Sequence, residues 1–106
     1  MTFVASLSTT GNTAVITLEG VLDDGSAEEF REHVAEAASQ GVSRLVLEMS
    51  KLDRLSAAGL RGLAFCREKM TNEVDIVIVA PNKTVRAAIE DVGLQQSVTI
   101  SERVPQ

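Results

Sequence analysis

The sequence contains few of the residues on which metal, redox and most catalytic sites depend. Among its 106 residues there is one cysteine and one histidine. A zinc site needs several Cys or His ligands, and a disulfide or a dithiol redox site needs paired cysteines. No glycine-rich phosphate-binding loop follows any strand-like segment. These absences argue against an enzyme, and we expect no catalytic residues, no metal and no cofactor.

Aromatic residues, long apolar runs and excess positive charge are also scarce. There are three Phe residues and no Trp or Tyr, so the core must be aliphatic. The formal net charge of −5 argues against a nucleic-acid partner, because nothing concentrates positive charge for phosphates. The apolar runs are too short to span a bilayer, and no signal-peptide pattern follows Met1. We therefore expect a cytoplasmic protein with no membrane insertion.

The first third of the chain predicts a β-hairpin followed by a helix. Alternation over 3–7 and a β-branched run over 14–19 predict two strands, joined by a turn at Gly11-Asn12. Ser26 and Glu29 have capping-box spacing, so the first helix should begin at Ser26 and end at Gly41. Its predicted core face consists of Ala27, Phe30, Val34, Ala37 and Ala38.

The rest of the chain predicts alternating strands and helices. The apolar run 45–47 predicts a central strand covered on both faces, followed by a loop over 50–55. A helix over 56–70, a strand over 74–80, a helix over 84–92 and a strand over 98–100 follow, and 101–106 should be a frayed tail. Predicted inward residues are Leu60, Leu63, Cys66 and Met70 in the second helix and Val85, Ala88, Ile89 and Val92 in the third.

The predicted order is therefore ββαβαβαβ. It indicates a single α/β domain over 1–106, with a mixed sheet of about five strands and three or so helices. The later strands should be mutually parallel, because helices connect them.

The start of the second helix is the best candidate for a functional site. Ser56 suits the N-cap of that helix, which would be a purely structural role. An exposed hydroxyl there could also accept a phosphate, which the helix dipole and free N–H groups would tolerate. Ala58, Gly62 and Phe65 fall outside the predicted inward stripe, which indicates either a docking surface or close packing within the domain.

Four segments together resemble the STAS domains of bacterial anti-sigma factor antagonists, over nearly the whole chain. The segments are Ile16-Thr-Leu-Glu-Gly-Val-Leu-Asp23, Ser26-Ala-Glu-Glu-Phe30, Leu45-Val-Leu-Glu-Met-Ser50 and Leu55-Ser-Ala-Ala-Gly-Leu60. The last of these is similar to the most specific motif of the family, Asp-Ser-Ser-Gly-Leu or Ser-Ser-Ala-Gly-Leu.

The resemblance implies a STAS-like fold and regulation by partner switching. In such a mechanism the unphosphorylated antagonist binds an anti-sigma factor that is also a serine kinase, and the sigma factor is released. Phosphorylation of a serine at the start of the second helix ends binding, and a PP2C-type phosphatase restores it.

The chain departs from the family pattern at the phosphoserine position, which is Ala57 here. Ser56 could serve as a phosphorylation site displaced by one residue. Alternatively, the chain could bind its partner constitutively, or Ala57 could be an introduced serine-to-alanine change. The predicted partner-binding residues are Asp23, Asp53, Arg54, Leu55, Ser56, Ala57, Ala58, Arg61, Gly62 and Phe65.

An alternative function is a phosphorylation-independent STAS subunit of a lipid-transporting ABC complex or a stress-sensing complex.

Overall fold

A computed structural model describes residues 3–70 and 73–102, which form one five-stranded sheet with three α-helices. The strands lie in the order β1-β2-β3-β4-β5; β1 and β2 are antiparallel, and the remaining neighbours are parallel. The predicted α/β class and element order are confirmed. The elements are β1 Phe3–Thr10, β2 Thr13–Leu22, α1 Ala27–Ser39, β3 Arg44–Leu55, α2 Ala57–Lys69, β4 Asp75–Val79, α3 Lys83–Asp91, a 3-10 turn Leu94–Gln96 and β5 Thr99–Ser101.

All three helices pack on the same face of the sheet. Alternate residues of a strand point to opposite faces, so Leu45, Leu47 and Met49 share one face. These side chains belong to the main core cluster, together with residues from α1, α2 and α3. The side chains of this cluster from the three helices are Phe30, Val34, Ala37, Leu63, Cys66, Val85 and Ile89.

The central strand β3 is buried on both faces where it was predicted to be. Leu45 and Leu47 lie in the main core, and Val46 lies in a smaller cluster with Val77 and Val79 on the opposite face. A continuous apolar run is therefore required here, because a polar side chain on either face would lose its water.

The prediction of a loop over 50–55 is wrong, because β3 continues to Leu55. Between Thr17 and Glu19 of β2, and again between Gly20 and Val21, β3 gains one residue relative to its partner. Such bulges interrupt the alternation of apolar and polar residues and hide a strand from pattern analysis. The segment still pairs with β2 as far as Leu22 opposite Leu55.

The predicted capping box at α1 is also wrong. The helix begins at Ala27, and the hydroxyl of Ser26 makes no capping bond to it. Instead the buried Ser26 Oγ donates to the carbonyl of Val21 at 3.0 Å and accepts from the N–H of Asp23 at 2.9 Å. Ser26 therefore stabilises the turn between β2 and α1. The three-residue spacing of Ser26 and Glu29 does not reveal this role, because the partners of the hydroxyl precede the helix.

The ends of the other elements lie close to their predicted positions. Gly41 and Gly93 have positive φ angles of 67° and 76°, as expected after helices. Ser101 belongs to β5, and its carbonyl accepts from the N–H of Ala80 at 2.7 Å, so the prediction of a frayed tail is wrong for this residue. Residues 103–106 of that predicted tail lie outside the described residues.

Cys66 is a core residue, as its helical spacing predicted. Its side chain is almost fully buried, and burial raises the pKa of the thiol to about 12, an effect that the nearby Arg67 partly opposes. The thiol therefore stays protonated at neutral pH and is a poor nucleophile.

Candidate functional site

The first turn of α2 is held at the end of the β2–β3 pair by two kinds of contact. The backbone N–H of Ser56 donates to the carbonyl of Leu22 at 2.9 Å. Gly59 lies directly over the same carbonyl, and a Cβ built on it would be 2.6 Å from that oxygen. Glycine is therefore required at position 59, because the helix approaches a strand backbone more closely than any side chain permits.

Ser56 is the N-cap of α2. Its backbone is extended, with φ −87° and ψ 176°, and its side chain accepts from the N–H of Gly59 at 3.2 Å. No acidic residue lies in the first turn of α2, so the positive end of the helix dipole is not neutralised by its own side chains. Ser56 itself is half-buried, whereas Ala57 is exposed.

Replacing Ser56 with Ala should lower the free energy of unfolding by about 1 kcal/mol, the usual value of an N-cap hydroxyl. Ser56→Asp should leave stability nearly unchanged, because aspartate caps as well as serine. Urea denaturation of both variants measures this difference. Ser43→Ala is the control and should change little, because Ser43 is exposed and its hydroxyl makes only a long 3.4 Å hydrogen bond to the carbonyl of Asn12. A Ser56→Ala variant as stable as the wild type would mean that the hydroxyl does not cap the helix.

The turn after β2 lies beside this helix start, as predicted for Asp23. Leu22 and Leu55 are paired at the ends of β2 and β3, so the residues that follow them are neighbours. Asp23 is half-buried; its Oδ1 accepts from the N–H of Gly25 at 3.1 Å and lies 3.1 Å from Ser26 Oγ. The carboxylate of Asp23 therefore holds the turn in shape next to α2.

Asp53, Arg54 and Leu55 lie on the last part of β3 rather than on a loop. Asp53 and Arg54 are exposed, and Leu55 is half-buried against the main core. The side-chain amide of Asn82 donates to the carbonyls of Leu52 and Asp53, each at 3.1 Å, while its oxygen caps α3. This one side chain thus ties the start of α3 to the end of β3.

Two residues predicted to contact a partner are inside the domain. Ala58 is buried, and a Cβ on Gly62 would lie 3.1 Å from Cδ2 of Phe30 in α1. Gly62 therefore permits close packing of α1 against α2, which was the alternative explanation for it. Phe65 is half-buried and also packs against the main core.

A shallow apolar groove runs beside the exposed side of α2 and was not predicted. It has a volume of about 350 Å³. We call it the α2 groove, and its lining residues are Ala57, Leu60, Arg61, Ala64, Val92 and Leu94. Leu60 and Val92 were predicted to point inward; Leu60 is half-buried, and Val92 is 60% exposed. The spacing of Ala57, Leu60 and Ala64 is a second helical stripe, and this signal could have revealed the groove from the sequence.

Ten residues were predicted to bind a partner, and eight of them are exposed or half-buried. These eight lie either at one end of the sheet or on α2. They are Asp23, Asp53, Arg54, Leu55, Ser56, Ala57, Arg61 and Phe65. Within residues 3–70 and 73–102, no three His, Cys, Asp or Glu side chains are grouped so that they could hold a metal ion. In the same part of the chain, no helix has the length and apolar character needed to cross a membrane. What this region offers chemically is a capped helix start, an apolar groove and flanking charges.

Comparison with known proteins finds one family and several similar structures. A family model described as "STAS domain" matches residues 5–106. RsfB of Mycobacterium tuberculosis, named an anti-sigma-F factor antagonist, is 29% identical over 84 residues, which are 79% of this chain and 69% of RsfB.

Two solved proteins share the fold at low sequence identity. An anti-sigma factor antagonist from Mycobacterium paratuberculosis superimposes with a TM-score of 0.88 at 20% identity, covering 97% of this chain and 88% of that one. The antagonist SpoIIAA in its unphosphorylated form gives a TM-score of 0.74 at 19% identity, covering 96% and 90%. Its phosphorylated form, from Bacillus, gives 0.73 at 22% identity, covering 92% and 90%.

Proposed function

Since the chain belongs to the STAS domain family, we propose that it is an anti-sigma factor antagonist that acts by partner switching. In its unphosphorylated form it binds an anti-sigma factor and so releases the sigma factor. The name of RsfB supports this assignment, because that relative aligns with 79% of the chain. In this proposal the chain acts by binding alone, is not an enzyme, needs no cofactor and works in the cytoplasm.

The observation that carries this proposal is the α2 groove, which begins at the exposed Ala57 at the start of α2. Ala57, Leu60 and Ala64 offer apolar contact area, and the groove adds Val92 and Leu94. Exposed apolar patches rimmed by charge are typical of protein docking sites. Arg61 lines the groove, and the exposed Asp53 and Arg54 shortly precede the start of α2, so charges of both signs there would favour one orientation of the partner.

Control of binding is proposed to act through a phosphate on Ser56. It is the only hydroxyl-bearing residue between Ser50 and Thr71, so no other residue of the first turns of α2 can accept a phosphate. Because the phosphate oxygens could still accept the N–H of Gly59, modification need not destroy the cap. It would, however, add about 1.5 to 2 negative charges next to the apolar groove, and a docked partner would have to bury them.

The proposed enzymes of the switch follow from the family resemblance. The anti-sigma factor is proposed to be the serine kinase, and a PP2C-type phosphatase is proposed to remove the phosphate. The chain would then pass between a binding form and a non-binding form with the same fold.

The experiment combines the purified chain with an anti-sigma factor kinase and ATP. We expect phosphate on Ser56 by mass spectrometry, none on Ser56→Ala, and loss of the complex as phosphate accumulates. Ala57→Ser, which restores the serine at the family's phosphoserine position, is the matched variant. If only Ala57→Ser were phosphorylated while the wild type kept its complex in ATP, the proposed control through Ser56 would be wrong and binding would be constitutive.

A further inference from the structure

In the part of the chain that the structure describes, strand β1 forms one outer edge of the sheet and has neither of two features that usually protect such edges, shortness and charge. It has eight residues, Phe-Val-Ala-Ser-Leu-Ser-Thr-Thr, with no charge and no proline. Edge strands present unpaired N–H and C=O groups, and natural proteins usually shorten them, charge them or cover them. Strand β1 is neither short nor charged.

The opposite edge shows the contrast. Strand β5 has three residues, and Glu102 directly after it forms an ion pair with Arg86 of α3 at 3.8 Å. A short strand flanked by paired charges is a poor template for another strand. Of the two edge strands within residues 3–70 and 73–102, β1 is therefore the long and uncharged one.

Apolar side chains of β1 are also incompletely covered on both faces. Phe3, Ala5 and Leu7 point to the helix side, where they are half-buried against the main core. On the other face Val4 is 52% exposed, beside the exposed hydroxyls of Ser6 and Ser8. A strand of the same composition placed alongside would cover these residues and would satisfy the open backbone groups.

We propose that β1 pairs antiparallel with β1 of a second copy of this chain, giving a dimer with one continuous sheet. Antiparallel pairing of a strand with itself is two-fold symmetric, so each copy supplies the surface that the other needs. Because the chain carries a formal charge of −5, two copies repel each other, and an uncharged strand is where they approach with least opposition. Two paired eight-residue strands bury less than a standard stable interface, so the dimer should be weak and dependent on concentration.

Sedimentation velocity of the chain alone, over a range of concentrations, tests this proposal. The average mass should rise from that of a monomer, 11.3 kDa, towards twice that value. Ser6→Lys places a charge at the middle of β1 and should shift the equilibrium at least about tenfold towards monomer, since like charges across paired strands repel. Thr99→Lys, on the same face of the opposite edge strand, is the control and should dimerise like the wild type.

Amide hydrogen exchange gives a second measurement that does not depend on a variant. In an edge strand, alternate N–H groups point away from the sheet, so raising the concentration should slow exchange at every second residue of β1. A chain that stays monomeric at its highest soluble concentration would overturn the proposal. So would a dimer that Thr99→Lys dissociates and Ser6→Lys does not. Neither result would bear on anti-sigma factor binding, because no partner protein is present.

Discussion

Gly59→Ala should lower the free energy of unfolding by about 2–3 kcal/mol, although alanine is the better helix former. The new Cβ would lie 2.6 Å from the carbonyl oxygen of Leu22 and 3.1 Å from side-chain atoms of Leu22 and Leu55. Overpacking of this kind typically costs 1–3 kcal/mol, and a backbone oxygen cannot rotate away as a flexible side chain does. This carbonyl also accepts from the N–H of Ser56, so moving it weakens the attachment of α2 to the sheet.

Gly25→Ala is the matched control for this prediction. Gly25 is exposed, and its added Cβ would make an ordinary 3.6 Å contact with Oδ1 of Asp23. Urea denaturation should therefore show a near-neutral Gly25→Ala and a strongly destabilised Gly59→Ala. Equal stability of the two variants would mean that α2 is not seated as closely on β2 as the structure indicates.

Ser56→Asp should raise the dissociation constant for the anti-sigma factor about 100-fold while leaving the fold intact. The aspartate keeps the N-cap, so the loss of affinity would come from charge rather than from unfolding. Burying an uncompensated carboxylate against a partner costs on the order of 3 kcal/mol. Calorimetric titration of the folded variant measures the change.

Ser43→Asp makes the same chemical change at the other end of β3. Ser43 is exposed and immediately precedes that strand, whereas Ser56 immediately follows it. We expect Ser43→Asp to bind the anti-sigma factor with wild-type affinity. An equal loss of affinity in both variants would point to the general negative charge of the chain instead of the start of α2. Unchanged affinity of Ser56→Asp would remove Ser56 from the proposed surface.

Local sequence signals predicted the parts of the fold that local chemistry determines. The Gly11-Asn12 turn, the serine cap at position 56 and the glycines after α1 and α3 each set one boundary through their own backbone or side chain. The apolar run at 45–47 predicted the buried centre of the sheet, because a strand covered on both faces cannot alternate.

The errors occurred where strand pairing and turn contacts, rather than a local sequence pattern, decide the structure. The segment 50–55 is a strand only because β2 pairs with it through two bulges. Ser26 had the spacing of a cap, but a carbonyl five residues earlier binds its hydroxyl. Neither contact can be inferred from neighbouring residues.

The candidate site was predicted in position but not in detail. The motif Leu55–Leu60 indicated that the site is at the start of α2. The small residues in and just after this motif have different structural roles. Gly59 makes room for a strand carbonyl, Gly62 makes room for Phe30, and Ala57 alone of the three is exposed. The α2 groove was missed because two of its six lining residues, Val92 and Leu94, come from the segment after α3, which tertiary structure brings to α2.

The most direct test of the central claim is the release of a sigma factor from its anti-sigma factor. The sigma factor carries a fluorescent label, and its anisotropy is followed as the unphosphorylated chain is added to the preformed complex. We expect the anisotropy to fall to that of the free sigma factor at stoichiometric addition, and Ser56→Asp to require a large excess. An anisotropy that stays constant, for every anti-sigma factor kinase of the same cell, would contradict the assignment as an anti-sigma factor antagonist.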